Sequence, residues 1–215
     1  VQAVRLDAAV AIVGRTWWQA SKAVDALPVD WLFGDAIKSS SELMRKEFVE
    51  ALDQPGAAVK ELGDAMRAME DAETSIESDY ILPYLAHNTL EPLNCTVWVQ
   101  PDRVDVWGGF QDPEVVLRLT ARLTQRALEQ VYVHNCYLGG GFGRRSHTDY
   151  VTEAVQIAIQ AGQPVQMIWS REEDSRQGRY RPMAAIRFKA GFDMDRQLTA
   201  YTNHSVSPSI LQQAQ

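Results

Sequence analysis

The feature that most constrains this chain is a glycine-rich stretch from Leu138 to Arg145, which has four glycines within five positions. A glycine costs roughly 0.5–1 kcal/mol inside a helix or strand, so propensity for regular structure does not explain the run. The residues before it, 131–137, are rich in β-branched and aromatic side chains and predict a strand. The apolar spacing over 148–160 predicts an amphipathic helix. A strand, a glycine loop and a helix N-terminus in this order are typical of a site for anions, above all phosphates.

The sequence of the loop differs from the two common nucleotide-binding motifs. A P-loop has Lys where this chain has Arg144 and Arg145, and a Rossmann loop needs glycine where Arg144 stands. The stretch therefore predicts close approach of backbone N–H groups to a bound group, with two cations beside it. A tight glycine turn without a ligand is the alternative.

Composition places the chain among globular proteins, with 46% apolar and 23% charged residues in 215 positions. The net charge of −7 argues against a nucleic-acid-binding surface. No apolar run approaches the ~18 residues of a membrane-spanning helix, so we do not expect the chain to span a membrane. Two cysteines, Cys95 and Cys136, cannot by themselves build an iron–sulfur cluster or a structural zinc site, and we expect two buried free thiols. Because the chain begins without Met and stops without a closing element, we expect a piece of a longer chain.

The pattern along the chain predicts an α+β fold in three parts, 1–31, 32–73 and 74–215. The first part has an apolar run, a helix that Thr16 caps and an extended segment, which predict a β-α-β-like unit at the end of a smaller α/β domain. The second part is a helical connector with helices over 35–51 and 57–72. Trp17 and Trp18 are expected in the core, and an interface is the alternative.

The third part mixes strands with helices. Residues 94–107 predict two strands joined by a tight turn, and the dipeptide Asp112-Pro113 predicts the start of a helix. Two further apolar stretches, 183–193 and 198–206, predict a long antiparallel pair.

Four stretches together are more specific than the glycine loop alone: Tyr84–Pro92, Val106–Gln111, Gly139–Arg145, and Trp169–Asp174 with Tyr180–Pro182. In this order and at this spacing, they resemble the molybdopterin-binding large subunit of the xanthine dehydrogenase/aldehyde oxidase family. The resemblance is closest to the isoquinoline 1-oxidoreductase β-subunit branch, in which the loop ends in Arg-Arg. It implies a fragment of a mixed-sheet molybdopterin-binding domain, preceded in 1–31 by the end of a hammerhead-like α/β domain.

The resemblance also implies which residues contact the cofactor. In the family, molybdenum is held by the dithiolene of a pterin and not by protein side chains, so no residue is expected to be a metal ligand. Gln111 matches the family's glutamine near the metal, and the cofactor-binding loop matches Gly140, Gly141, Phe142, Gly143 and Arg144. A neutral amide and exposed N–H groups can indeed stabilise an anionic centre. Capping of the helix that begins at Pro113 is the alternative for Gln111.

Two further positions concern the substrate. Purine-oxidising members of the family have a Glu where this chain has Ser146, so a purine substrate is not expected. Arg181 matches a substrate-contacting arginine loosely, and pairing with a surface carboxylate is its alternative. The family's catalytic Glu lies beyond these residues, and Glu91 beside His87 is expected to order a loop rather than to act as the base.

The resemblance implies part of a molybdenum hydroxylase, which oxidises an N-heterocycle or an aldehyde with water-derived oxygen. It implies a molybdopterin cytosine dinucleotide cofactor, a small [2Fe–2S] subunit that takes the electrons, and a cytochrome c as a further candidate acceptor. This chain alone is expected to be incomplete and inactive. The alternative function is a degenerate, non-catalytic module that binds a ligand or a partner. The location in a bacterium, periplasmic or cytoplasmic, is left open.

Overall fold

The computed structural model describes residues 1–32 and 39–210. Its strands are β1 (Gln2–Arg5), β2 (Val10–Val13), β3 (Thr74–Leu82), β4 (Leu85–Ala86), β5 (Asn94–Val99), β6 (Val104–Gly108), β7 (Val131–Asn135), β8 (Val165–Ile168), β9 (Tyr180–Arg181), β10 (Ala184–Phe192) and β11 (Leu198–Val206). Its α-helices are α1 (Trp17–Asp25), α2 (Ser41–Ala51), α3 (Ala65–Glu70), α4 (Pro113–Thr124), α5 (Asp149–Ala161) and α6 (Arg171–Gln177). Single 3-10 turns occur at Leu128–Gln130 and Arg144–Ser146. The predicted α+β class is confirmed.

The chain divides into two compact units. The first contains 1–32 and 86–179, and the second contains the described parts of 33–85 and 180–215. The short strands β4 and β9 occur where the chain passes from one unit to the other. The predicted part boundaries at residues 31 and 73 remain predictions. In the described part of the chain, no helix has the length and apolar character that crossing a membrane requires.

The first unit is built on a four-stranded sheet with the order β7-β6-β5-β8. Strands β5 and β6 form the predicted antiparallel hairpin, whose turn is closed by a hydrogen bond from the Gln100 N–H to the Arg103 carbonyl (2.9 Å). Strands β6 and β7 are parallel, and α4 supplies the crossover that a parallel pair requires. The carboxyl ends of β6 and β7 therefore lie side by side, directly before 109–111 and the glycine loop.

One face of this sheet forms the core with α4 and α5. Alternate residues of β5 and β6 are fully buried: Cys95, Val97, Val104 and Val106. They pack with the apolar face of α5, as its periodicity predicts. Burying a side chain of this size contributes roughly 1.5–3 kcal/mol. This packing fixes the position of α5, and with it the end of the glycine loop.

The start of α4 is also as predicted. The Val115 N–H donates to Asp112 Oδ1 (3.1 Å), and Pro113 occupies the first helical turn. The helix ends at Thr124 because Gln125 adopts a left-handed conformation with φ 55°.

The N-terminal segment differs from the prediction. Strands β1 and β2 form an antiparallel hairpin, α1 follows with Thr16 as its cap, and 28–31 contain no strand. Strand β1 has only 4 residues, too few for an alternation of apolar and polar side chains to be recognised in the sequence. Trp17 and Trp18 are 50% and 65% exposed, so the expectation that they lie in the core is wrong.

The second unit has a three-stranded antiparallel sheet with the order β11-β10-β3, which includes the predicted pair of long strands. Helices α2 and α3 pack against β10 and β11. The predicted helix over 35–51 is observed from Ser41, with Ser40 as its cap, and positions 33–38 lie outside the described residues. The helix predicted over 57–72 is wrong for 57–64, because Gly63 is left-handed (φ 66°) and α3 begins only after it.

Candidate functional site

The glycine loop starts where β6 and β7 end together. The side chain of Asn135 pairs with the backbone of Phe110, accepting from its N–H (2.9 Å) and donating to its carbonyl (3.2 Å). The Cys136 N–H donates to the Gly108 carbonyl (2.7 Å). These bonds extend the parallel pairing beyond the strands and bring Gln111 beside the loop. Asn135 was not among the predicted site residues, although an amide residue at a strand end is a recognisable signal.

Gln111 is bound to the loop and does not cap α4. Its Oε1 accepts the N–H groups of Gly143 (3.0 Å) and Arg145 (3.2 Å), and its own N–H donates to the Arg145 carbonyl (3.2 Å). Because backbone donors require an acceptor, these contacts fix the orientation of the amide. The side-chain N–H2 group of the exposed Gln111 is then at the opposite end from the loop backbone.

Gly141 is required for this arrangement. A Cβ at residue 141 would lie 2.6 Å from Gln111 Oε1 and 2.8 Å from its Cδ, so any side chain would displace the amide. Gly140 (φ 104°) and Gly143 (φ 94°) adopt left-handed conformations that other residues resist. Within the described residues, the N–H groups of Gly140 and Gly141 have no hydrogen-bond acceptor. These two groups and the Gln111 N–H2 group are called the donor set below.

Phe142 is at the tip of the loop. Its φ of 53° is also left-handed, and its side chain is 65% exposed. A non-glycine residue in this region is strained and is held there by its surroundings, which is common at functional sites.

Arg144 faces inward. It is 2% exposed, and its guanidinium group makes a bidentate pair with Asp149 in the first turn of α5 (2.8 and 2.7 Å). The guanidinium carbon also lies 5.7 Å from the centre of the Trp169 ring. Burial raises the pKa of Asp149, but the hydrogen bonds and charge of Arg144 outweigh burial and hold that pKa below its ordinary value. Asp149 was not among the predicted site residues, and the assignment of Arg144 as a cofactor contact remains a prediction.

Arg145 is buried as well, with 1% exposure. Its Nε donates to the Gly140 carbonyl (3.0 Å) and one terminal nitrogen donates to the Glu91 carbonyl (2.9 Å). The same nitrogen lies 3.1 Å from the Glu91 carboxylate. Each arginine of the loop is thus paired with a carboxylate, and neither adds an uncompensated positive charge.

Glu91 contacts the start of the glycine loop, at Gly139. Its Oε2 accepts the Gly139 N–H (2.8 Å), and its Oε1 accepts the Asn94 side chain (2.8 Å). Burial raises the pKa of Glu91, but the hydrogen bonds from Gly139 and Asn94 and the charge of Arg145 outweigh it and hold the pKa below its ordinary value. These contacts agree with the loop-ordering role expected for Glu91.

Other polar residues complete the surroundings. The Ser146 hydroxyl donates to the Gly143 carbonyl (2.6 Å), and the buried Tyr150 hydroxyl donates to the Gly109 carbonyl (3.2 Å). The His87 Nδ1–H donates to a backbone carbonyl at residue 179 (3.0 Å). In the described residues, no group of three or more His, Cys, Asp or Glu side chains could hold a metal ion.

The structure brings together most of the residues that the sequence analysis selected. Gln111, the loop residues 140–144 and Ser146 lie in the first unit. Arg181 lies in β9 of the second unit.

Comparison with known proteins gives an independent result. A model of the molybdopterin cofactor-binding domain matches residues 50–208. The chain is 28% identical over 195 residues to the membrane-bound aldehyde dehydrogenase (pyrroloquinoline-quinone) of Gluconacetobacter polyoxogenes, covering 89% of this chain and 25% of that protein. It is 31% identical over 147 residues to the isoquinoline 1-oxidoreductase subunit beta of Brevundimonas diminuta, covering 67% of this chain and 18% of that protein.

Solved structures show the same fold. The aldehyde oxidoreductase from Desulfovibrio gigas gives a TM-score of 0.60 at 16% identity, over 67% of this chain and 16% of that chain. The quinoline 2-oxidoreductase from Pseudomonas putida 86 gives 0.59 at 18% identity, over 66% of this chain and 18% of that chain. The chain spans about a quarter or less of the length of these relatives.

Proposed function

Because this chain belongs to the molybdopterin cofactor-binding domain family, we propose that its glycine loop and Gln111 form part of the site for a molybdenum–pterin cofactor. The observation that supports this most directly is the orientation of Gln111. Two loop N–H groups hold its Oε1, and the side-chain N–H2 group remains for a ligand. A glycine turn without a ligand does not need a side chain placed in this way.

The residues fit such a group chemically. A pterin cofactor presents oxygen acceptors, and the donor set offers N–H groups without a competing acceptor. The absence of a Cβ at Gly140 and Gly141 permits close approach of the backbone to a ligand. We further propose that Phe142 packs its exposed ring against the cofactor and limits the access of water.

The cofactor, when bound, supplies two-electron redox chemistry. The chain's own residues would hold it in place: the N–H groups of Gly140 and Gly141 would donate to its oxygen acceptors, and the Gln111 N–H2 group would donate where negative charge develops. Preorganised donors of this kind stabilise charge without rearranging during the reaction.

For the protein as a whole, we propose hydroxylation of an N-heterocycle or an aldehyde with oxygen from water. The two electrons released pass to an iron–sulfur partner, for which a small [2Fe–2S] subunit is the candidate, and a cytochrome c is a candidate for the next step. Relatives named for isoquinoline and aldehyde oxidation support these two substrate classes. Ser146 disfavours a purine, and Arg181 is retained as a candidate substrate contact. We propose the cytosine dinucleotide form of the cofactor.

The test is cofactor analysis. The protein is expressed from its native gene and is purified for metal analysis and cofactor extraction. Equimolar molybdenum and pterin are expected. Pyrroloquinoline quinone without molybdenum, or protein with neither group, would refute the proposal, and the latter result would favour a non-catalytic module.

A pair of glycine variants locates the site. Gly141→Ala places a Cβ against the Gln111 amide and should abolish most cofactor loading. The control is Gly162→Ala at the end of α5, where φ is 64° and a Cβ would meet nothing within 4 Å. It introduces backbone strain of about 1 kcal/mol and should leave loading unchanged. Equal loading of the two variants would show that the loop is only a turn.

A further inference from the structure

Glu91 contacts the glycine loop through both its backbone and its carboxylate. It bonds to Gly139 through both, and its carboxylate lies within ion-pair distance of Arg145. We infer that Glu91 is a positioning residue: with the buried Arg145, it turns two successive loop peptides so that the N–H groups of Gly140 and Gly141 face the bound cofactor. This inference rests on the proposed function of the loop. It assigns the orientation of the donor set to two specific residues, the backbone and carboxylate of Glu91 and the side chain of Arg145.

The first peptide joins Gly139 to Gly140. The Glu91 N–H donates to the Gly139 carbonyl (3.1 Å), and the Gly139 N–H donates to Glu91 Oε2 (2.8 Å). In a planar trans peptide, the carbonyl and the following N–H point in opposite directions. Holding the Gly139 carbonyl against Glu91 therefore turns the Gly140 N–H away from Glu91. A Cβ at residue 139 would overlap the Glu91 side chain, so this contact requires glycine.

The second peptide joins Gly140 to Gly141. Its carbonyl accepts from Arg145 Nε (3.0 Å), which directs the carbonyl into the protein. By the same geometry, the Gly141 N–H is directed away from the buried guanidinium group. Thus the Glu91 N–H holds the carbonyl of the first peptide, and the Arg145 side chain holds the carbonyl of the second. Both N–H groups are the ones that have no acceptor within the described residues.

Arg145 depends on Glu91 for the compensation of its buried charge. The arginine side chain is 0% exposed, and Glu91 is the one carboxylate within ion-pair distance of it among the described residues (3.1 Å). Arginine stays charged in proteins, and a buried charge that loses its partner is strongly unfavourable. The Arg145 N–H also donates to Gln111 Oε1 (3.2 Å), so a displaced Arg145 would disturb the third member of the donor set.

The contacts of Glu91 indicate positioning and not proton transfer. Its Oε2 accepts from Gly139 and lies beside Arg145, and its Oε1 accepts from Asn94. A carboxylate whose two oxygens are engaged in this way is a weak base. Its contribution to any reaction would therefore act through Arg145 and the loop.

The test uses Glu91→Gln in the protein expressed in its native genetic context. The variant keeps the size and the backbone of residue 91, but it places an N–H2 group where one carboxylate oxygen now accepts. We expect hydrogen exchange of residues 138–145 to accelerate at least severalfold. Cofactor affinity should fall on the order of 10–100-fold, the range seen when a supporting partner of a bound metal group is removed. Glu91→Asp keeps the charge and should restore part of both properties.

The matched control is Glu114→Gln. Glu114 pairs with Arg118 (2.6 Å) on the exposed face of α4 in the same unit, and its loss should change neither exchange of 138–145 nor cofactor content. If Glu91→Gln has the same hydrogen exchange of residues 138–145 and the same cofactor affinity as the wild type, the inference is overturned. This holds also when the wild type contains its full complement of cofactor, so that the proposed function itself is supported. If the wild type contains no molybdenum and no pterin, the proposed function fails, and the exchange measurement still decides whether Glu91 orders the loop. If Glu91→Gln does not fold, Glu91→Asp decides: unchanged exchange and affinity in that variant would overturn the inference.

Discussion

Gln111 provides the sharpest prediction, because its two ends have different partners. Its Oε1 accepts two backbone N–H groups, and its N–H2 group belongs to the donor set. Gln111→Glu retains acceptor oxygens for the loop, but it replaces the donor with an oxygen that carries negative charge. We therefore expect cofactor content to fall sharply in Gln111→Glu while the loop keeps its conformation.

The effect on stability separates this variant from Gln111→Ala. Alanine removes the acceptor of both the Gly143 and the Arg145 N–H groups. A lost hydrogen bond costs about 0.5–1.5 kcal/mol, and water can replace part of each bond at an exposed residue. We expect Gln111→Ala to lower the free energy of unfolding by about 1–2 kcal/mol. Each kcal/mol should lower Tm by about 2–4 °C for a protein of this size.

The neighbouring residue supplies the control. Asp112→Ala removes the N-cap of α4 and should also cost about 1 kcal/mol, but the Asp112 side chain accepts from the Val115 N–H within α4 and not from the loop. Unfolding in urea and the molybdenum and pterin content per folded chain are measured for all three variants. Asp112→Ala should lose stability and keep its cofactor, whereas Gln111→Glu should do the reverse. Full cofactor content in Gln111→Glu would refute the assignment of the amide N–H2 group.

Three further outcomes follow from the buried and titrating groups. Asp149→Asn leaves Arg144 buried without its carboxylate and should lower the free energy of unfolding, measured in urea, by about 3 kcal/mol. A loss below about 1 kcal/mol, which is typical of an exposed ion pair, would contradict the bidentate contact. Glu91 has a lowered pKa in the folded state, so its stabilising effect is present above its ordinary value of 4.5 and is lost as the pH falls through the lowered pKa. The stability difference between wild type and Glu91→Gln should therefore disappear on acidification below pH 4.5, and a difference that persists would refute the charge-based account. Burial raises the pKa of Cys95 to about 12, whereas Cys136 is exposed, so iodoacetamide should modify Cys136 alone in the native protein, as peptide mass mapping would show.

Much of the fold follows from local pattern. The hairpin of β5 and β6, the start of α4 at Asp112 and the amphipathic α5 were predicted because one apolar face and one cap residue determine each of them. The connector over 57–72 shows the limit of this reasoning. Its residues favour a helix in isolation, but 57–64 bury little surface, and propensity alone does not hold a short helix in water. The expectation of two buried thiols is confirmed for Cys95 and wrong for Cys136, which is exposed because it follows the end of β7 instead of lying within the sheet.

The internal geometry of the site was beyond sequence reasoning for a different reason. Gln111 and Gly143 are 32 positions apart, and Glu91 and Arg145 are 54 apart, so no local pattern indicates that they pair. The resemblance to a family selected Gln111 and the loop. It did not indicate that both arginines would face inward, because that depends on which carboxylates the fold brings to them.

This inward orientation changes how the loop would recognise a ligand. Arg144 with Asp149 and Arg145 with Glu91 form two pairs of opposite charge, so these four side chains sum to no net charge. Attraction by net charge is non-directional and weakens with salt, whereas N–H groups select for acceptor position. The buried pairs are then best understood as the framework that holds the donor set rigid. A loop of this kind suits a large cofactor with several fixed oxygen atoms better than a small free anion, which could be held by one exposed arginine.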